Sequence, residues 1–286
     1  MIIGIVVIAL YTGACEIRGV CMNKIQNEYK ESTQFDFDLM TTNDGNSTKL
    51  VKINIRNVAL AEAMIRNDSS YIKESLVLSP ENSDRKGAYG GSVKYWVKQI
   101  KNVIDGNVAV DENGWRNIIN KLVVAIDLSN STHLNSDGVG VKQITDSICK
   151  IDRNRLVEMV KYPQKDDYKL IKIITEKTTV NDGKHHARTN YSFATKFCRA
   201  LCMTLFDGEE EQDNFSIYDS VVAEAIWHYI RHFNIKVKKA DLKDYAKFIN
   251  IIDYIIEKSD KNVSRNGFDH LIWYYYKGRS KSFFNY

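Results

Sequence analysis

A lysine and an aspartate carry the most specific chemistry in this sequence. Lys196 lies within Asn190-Tyr-Ser-Phe-Ala-Thr-Lys-Phe-Cys198, and Asp219 within Phe215-Ser-Ile-Tyr-Asp-Ser220. A lysine amine that gives up its proton readily attacks electrophilic carbon and forms a Schiff base. A carboxylate beside it stabilises developing positive charge and relays protons. Between Lys184 and Arg199 stand four basic residues, Lys184, Arg188, Lys196 and Arg199, and no acidic one. A basic stretch that runs into a helix start, where backbone N–H groups are free, suits a phosphate. It should also ease proton loss from Lys196. Without a base-reading motif, such contacts would position a nucleic-acid backbone rather than read its sequence. The expected backbone contacts are Lys184, His185, Arg188, Asn190, Ser192 and Arg199.

The elements that must hold this pair are helical. In a helix expected over 193–206, Ala194, Phe197, Cys198, Leu201, Cys202 and Leu205 form one apolar face, with Ser192 as its cap. Lys196, Arg199 and Met203 fall on the other side, so Lys196 is expected to point out of the core. A helix over 220–233 buries Val222, Ala225, Ile226, Tyr229, Ile230 and Phe233, and Asp219 is expected to cap it. A third helix carries Leu242, Tyr245, Ile249, Ile252 and Ile256, and the aromatic run Phe268–Tyr276 reads as helical. Upstream, Trp115, Ile118, Ile119, Leu122 and Ile126 form a stripe that starts after Asp111, a candidate cap. Further helices are expected near 141–150, 152–161 and 167–177.

The first 80 residues read differently. Phe35–Leu39 and Leu50–Ile55 alternate, with turn-forming Asn43-Asp-Gly-Asn-Ser47 between them, as in a β-hairpin, and 57–67 reads as a helix. The polar, glycine-rich segment 79–91 is the expected boundary, dividing an N-terminal region, 1–80, from a helical domain, 92–286. Its glycines, Arg85 and Lys86 match no phosphate-loop pattern, so it reads as a connector.

Composition sets the outer limits. At 286 residues, 44% hydrophobic and 27% charged, the chain is globular; with only two prolines, long helices are permitted. A formal charge of +4 permits a nucleic-acid partner without demanding one. Five cysteines in no paired framework point to a reducing, cytoplasmic compartment. The apolar stretch 1–10 resembles the core of a signal peptide but has no basic residue before it and is too short to span a bilayer, so it reads as a buried element in preference to a targeting segment, with no membrane partner. Cys198 with Cys202, and His228 with His232, stand at i, i+4, but each pair lacks further ligands, and adjacent His185 and His186 chelate poorly. No metal or cofactor is expected.

The order of these motifs resembles the helix-hairpin-helix DNA glycosylase superfamily, and most of all the 8-oxoguanine DNA glycosylase branch with its bacterial relatives. In that family a Thr-Lys pair opens a helix after the hairpin, as Thr195-Lys196 does here. A later segment of the form Phe-Pro-Ile-x-Asp is similar to Phe215-Ser-Ile-Tyr-Asp219, with serine in place of proline. The resemblance covers about residues 165–235. It implies a mainly α fold with a helix-hairpin-helix core, the hairpin near 179–192, beside the small N-terminal β-hairpin. It implies a glycosylase with AP lyase activity that removes an 8-oxoguanine-like base from duplex DNA. Lys196 would be the nucleophile at sugar C1′ and Asp219 its partner. A flipped base would be gripped by aromatic side chains, with Phe268, Trp273 and Tyr276 as candidates. Two departures stand out. The family's Gly-x-Gly is Ser192 and Ala194 here, and an acidic insert, Asp207–Asp213, lengthens the interval to Asp219. Set against this reading are a helix-hairpin-helix nucleic-acid-binding module without catalysis, and a helical protein-interaction domain.

Overall fold

The computed structural model describes residues 35–41, 47–67, 93–130, 134, 140–176 and 189–277. The apolar N-terminus, the turn at 43–46, the polar segment 79–91 and residues 179–188 of the expected hairpin lie outside the described residues. One compact unit ends at Lys52 and a second begins at Ile53.

The first unit contains an antiparallel pair, β1 (Phe37–Thr41) and β2 (Ser47–Val51). Phe37 pairs with Val51 and Thr41 with Ser47, and the Lys52 amide extends the ladder by donating to the Asp36 carbonyl. This is the hairpin that the alternating residues predict.

The second unit is helical. Its α-helices are α1 (Ile55–Asn67), α2 (Val93–Ile104), α3 (Glu112–Asn130), α4 (Gly140–Cys149), α5 (Arg153–Lys161), α6 (Lys169–Glu176), α7 (Tyr191–Leu205), α8 (Ser220–His232), α9 (Tyr245–Ser259) and α10 (Arg265–Ile272). Short 3-10 turns run over Pro163–Asp166, Glu210–Asp213 and Lys239–Lys243, and a π-helical turn, Trp273–Lys277, extends α10. Polar caps set several of the starts, because the first-turn N–H groups lack intrahelical partners. Asp111 Oδ1 accepts from the Gly114 amide at 2.7 Å, as expected for α3. Asp152, Asp219, Asp244 and Ser264 do the same for α5, α8, α9 and α10.

Helix α7 is the core element. It packs against α2, α3, α5, α6 and the 210–213 turn. The expected stripes on α3, α7, α8 and α9 are buried, apart from Phe233, which is half-buried. The unit boundary is not where the polar segment 79–91 suggests. Helix α1 belongs with the helical unit, where it packs on α10. Gly267 permits the close approach, since a Cβ there would lie 2.8 Å from Val58 Cγ1. Glu62 meets His270 Nδ1 at 3.1 Å, and the Ile55 amide reaches Asp260 at 3.2 Å. No helix among the described residues is long and apolar enough to cross a membrane.

Candidate functional site

The two motifs meet through the residues that precede Lys196 and Asp219. Residues 215–219 form an irregular connection between the 210–213 turn and α8. A buried connection has no helix or sheet to satisfy its amides, so side chains must do so. Three helices supply them. The Ser216 amide donates to Tyr245 Oη of α9 at 2.9 Å, and that hydroxyl donates back to the Ser216 carbonyl at 2.7 Å. The Ile217 amide donates to Asp269 Oδ2 of α10 at 3.0 Å. The Tyr218 amide donates to Thr195 Oγ1 of α7 at 3.0 Å. Asp219 then closes the segment by accepting from the Val222 amide at 2.9 Å as the cap of α8, its expected local role.

On α7, the expectation that Lys196 and Arg199 project from a polar face is corrected. Lys196 is only 8% exposed and Arg199 only 5%. Helix α7 has neighbours on its polar side as well as its apolar side, and the apolar stripe alone does not reveal them. Arg199 Nε donates to Asp269 Oδ2 at 2.9 Å, and its guanidinium also reaches the Asn266 side chain and Met203 Sδ. One carboxylate oxygen of Asp269 thus receives donors from both α7 and the 215–219 segment. Burial pushes the Asp269 carboxyl up to about 6, overcoming the lowering effect of Arg199 and the Ile217 amide.

The other expected site residues scatter. Lys184, His185 and Arg188 lie outside the described residues. Asn190, not Ser192, takes the N-cap position of α7, because the helix begins at Tyr191. Ser192 falls in the first turn, where its carbonyl accepts from Thr195 Oγ1 at 3.0 Å. The proposed base-gripping residues are corrected in part. Phe268 and Tyr276 are core side chains, at 0% and 4% exposure, and neither offers a ring face to a ligand. Trp273 is half-buried. A different aromatic pair adjoins the motifs: Tyr191 and Tyr218, both half-buried, with ring centroids 4.6 Å apart.

Cys198 and Cys202 are free, buried thiols on the apolar face. Burial pushes Cys202 up to about 12 and Cys198 well above the usual thiol range. Among the described residues no group of three His, Cys, Asp or Glu side chains gathers to hold a metal.

Two further features escape the sequence. Asp213, the last residue of the acidic insert, caps α10 from a distance: its carboxylate accepts from the Arg265 and Asn266 amides at 2.7 and 2.6 Å. An open cleft of about 630 Å³ lies beside it, lined by Lys161, Tyr162, Asp213, Asp253, Lys261 and Arg265 among others, with neither Lys196 nor Asp219 in its wall.

Fold and site together define a helical protein in which a nearly buried lysine and a capping aspartate sit on adjoining elements. Comparison of the chain with protein-family models, curated proteins and solved structures gives no match.

Proposed function

We propose that this chain is a DNA glycosylase with AP lyase activity, excising an 8-oxoguanine-like damaged or modified base. Lys196 Nζ attacks sugar C1′ as the base departs, forming the C–N bond while the glycosidic bond breaks. The C1′–O4′ bond of the resulting aminal then breaks, with a proton passing to O4′, to give the Schiff base, and loss of a C2′ proton from it expels the 3′ phosphate by β-elimination. Asp219 stabilises the positive charge on the sugar and relays protons. The observation that carries this reading is the hydrogen bond between Thr195 and Tyr218, which joins the residue before Lys196 to the residue before Asp219. The near burial of Lys196 agrees with it, since lysine nucleophiles act from desolvated positions. Borohydride trapping on duplex DNA carrying 8-oxoguanine or an abasic site tests the proposal. A covalent adduct is expected with the wild type and not with Lys196→Ala; an adduct that survives that substitution removes Lys196 from the role.

A second reading is a module that binds nucleic acid, or another protein, without chemistry. The open cleft of about 630 Å³ favours it, because its wall holds neither Lys196 nor Asp219. It predicts salt-dependent DNA binding with no base release from any lesion. A protein-interaction domain predicts no DNA binding even at low salt.

A further inference from the structure

We propose that Asp269 is the positioning residue of this site, with its single oxygen Oδ2 fixing the Asp219 segment against the Lys196 helix. This rests on the glycosylase reading and assigns a role to a residue outside both motifs. The two donors to Oδ2 come from the two elements that must be aligned. The Ile217 amide, two residues before Asp219, lies 3.0 Å away, and Arg199 Nε, one helical turn beyond Lys196, lies 2.9 Å away. Both bonds end on a carboxylate shielded from water, since Asp269 is 3% exposed, and Arg199 is nearly as buried.

The helix that carries Asp269 is itself pinned. Asp213 accepts the first two amides of α10, and Arg265 holds Asp253 through two hydrogen bonds of 2.6 Å. Asp269 is therefore a fixed post rather than a side chain that follows its partners. Asn266, one turn before it on α10, accepts from Nη2 of the same guanidinium. Stability alone is a weak reason for such an arrangement, because apolar residues of similar volume replace a buried ion pair with little loss or a gain. A bond set that registers two elements is a reason that apolar packing does not supply. Thr195 and Tyr245 hold the neighbouring amides of the same segment, so three helices converge on it and Asp269 ties it to α7 through Arg199.

The test uses the full-length chain carrying Arg199→Met together with Asp269→Leu. This pair of substitutions removes both charges and so leaves no unpaired buried ion, which Asp269→Ala alone would do. Two quantities are measured: amide hydrogen exchange across 215–219, and single-turnover borohydride trapping on duplex DNA with one abasic site. Exchange at Ile217 and Tyr218 is expected to quicken while the α3 core stays protected. Trapping is expected to slow by about tenfold to a hundredfold, the cost of a displaced reacting group. Unchanged exchange overturns the proposal, and so does faster exchange with trapping at the wild-type rate. If the wild type itself forms no adduct, the glycosylase reading fails and the role of Asp269 in aligning a catalytic pair fails with it. The exchange comparison then decides separately whether Asp269 holds the segment.

Discussion

Thr195 Oγ1 accepts the Tyr218 amide at 3.0 Å and donates to the Ser192 carbonyl at 3.0 Å, so one fully buried hydroxyl stitches α7 to the segment that leads into α8. Thr195→Val keeps the branched shape but removes the acceptor, leaving the Tyr218 amide without its partner. The expected loss is about 1–3 kcal/mol, the cost of a buried donor left unmade. Thr195→Ser keeps the hydroxyl and should recover most of it. Urea unfolding is the measurement: the midpoint should fall for valine with an unchanged slope, and much less for serine. Equal midpoints for wild type and valine would show that the stitch contributes nothing.

Asp219 has a structural role as cap of α8 and a proposed chemical role, and substitution separates them. Asparagine accepts the Val222 amide as well as aspartate does, whereas alanine forfeits about 1 kcal/mol of cap energy. Stability should therefore fall for Asp219→Ala and hold for Asp219→Asn. If Asp219 acts as proposed, base excision depends on the carboxylate, and both variants should lose on the order of a hundredfold or more in single-turnover rate. An active Asp219→Asn would leave the residue as a cap and nothing else.

Local chemistry explains what the sequence revealed. Asp111 and Asp219 announce their helices because a cap acts within three residues of itself. The stripes of α3, α7, α8 and α9 are legible because one apolar face follows the helical period. The burial of Lys196 and Arg199 is not legible that way. Arg199 is received by Asp269, 70 positions onward, and no local pattern marks that partner. The second set of acceptors at the start of α10, beyond the local cap Ser264, escapes for the same reason, since Asp213 reaches it across 52 positions and reads in sequence as part of a solvated acidic run. The candidate site is legible only as an ordered pair of motifs. The side chains that hold those motifs together, Thr195 excepted, lie on α9 and α10 and become visible only once the chain is folded.

Cys198 and Cys202 offer a probe of the core around α7. Both are buried, and desolvation raises both thiols, Cys202 to about 12. The thiolate is the species that alkylates, so native protein at pH 8 should leave both sites unlabelled by iodoacetamide. Labelling should appear in urea with the same midpoint as global unfolding. Peptide mass spectrometry reads each site separately. Rapid native labelling of Cys202 would mean that α7 opens locally from the 210–213 turn, whose Glu211 carbonyl accepts from the Cys202 thiol.

Asp269 should impose a particular pH dependence on stability. Burial raises its carboxyl to about 6 in the folded chain, while an unfolded aspartate titrates near 3.9. The charged and titratable groups that act on it are Arg199 from α7, Tyr245 from α9 and its neighbour His270 on α10. Between those two pH values the folded state keeps a proton that the unfolded state has released. Stability from this group is therefore fully present below about pH 4 and is lost as pH rises through about 6. The comparison that isolates it is wild type against Asp269→Asn, which cannot titrate. The stability difference between them should move against the wild type by roughly 2–3 kcal/mol from pH 4 to pH 7, because each pH unit that separates the folded and unfolded titrations is worth about 1.4 kcal/mol. Denaturant titrations at half-unit pH steps measure it. A difference that stays constant over that range would mean that Arg199 and the Ile217 amide hold Asp269 charged despite its burial, and that the ion pair outweighs desolvation.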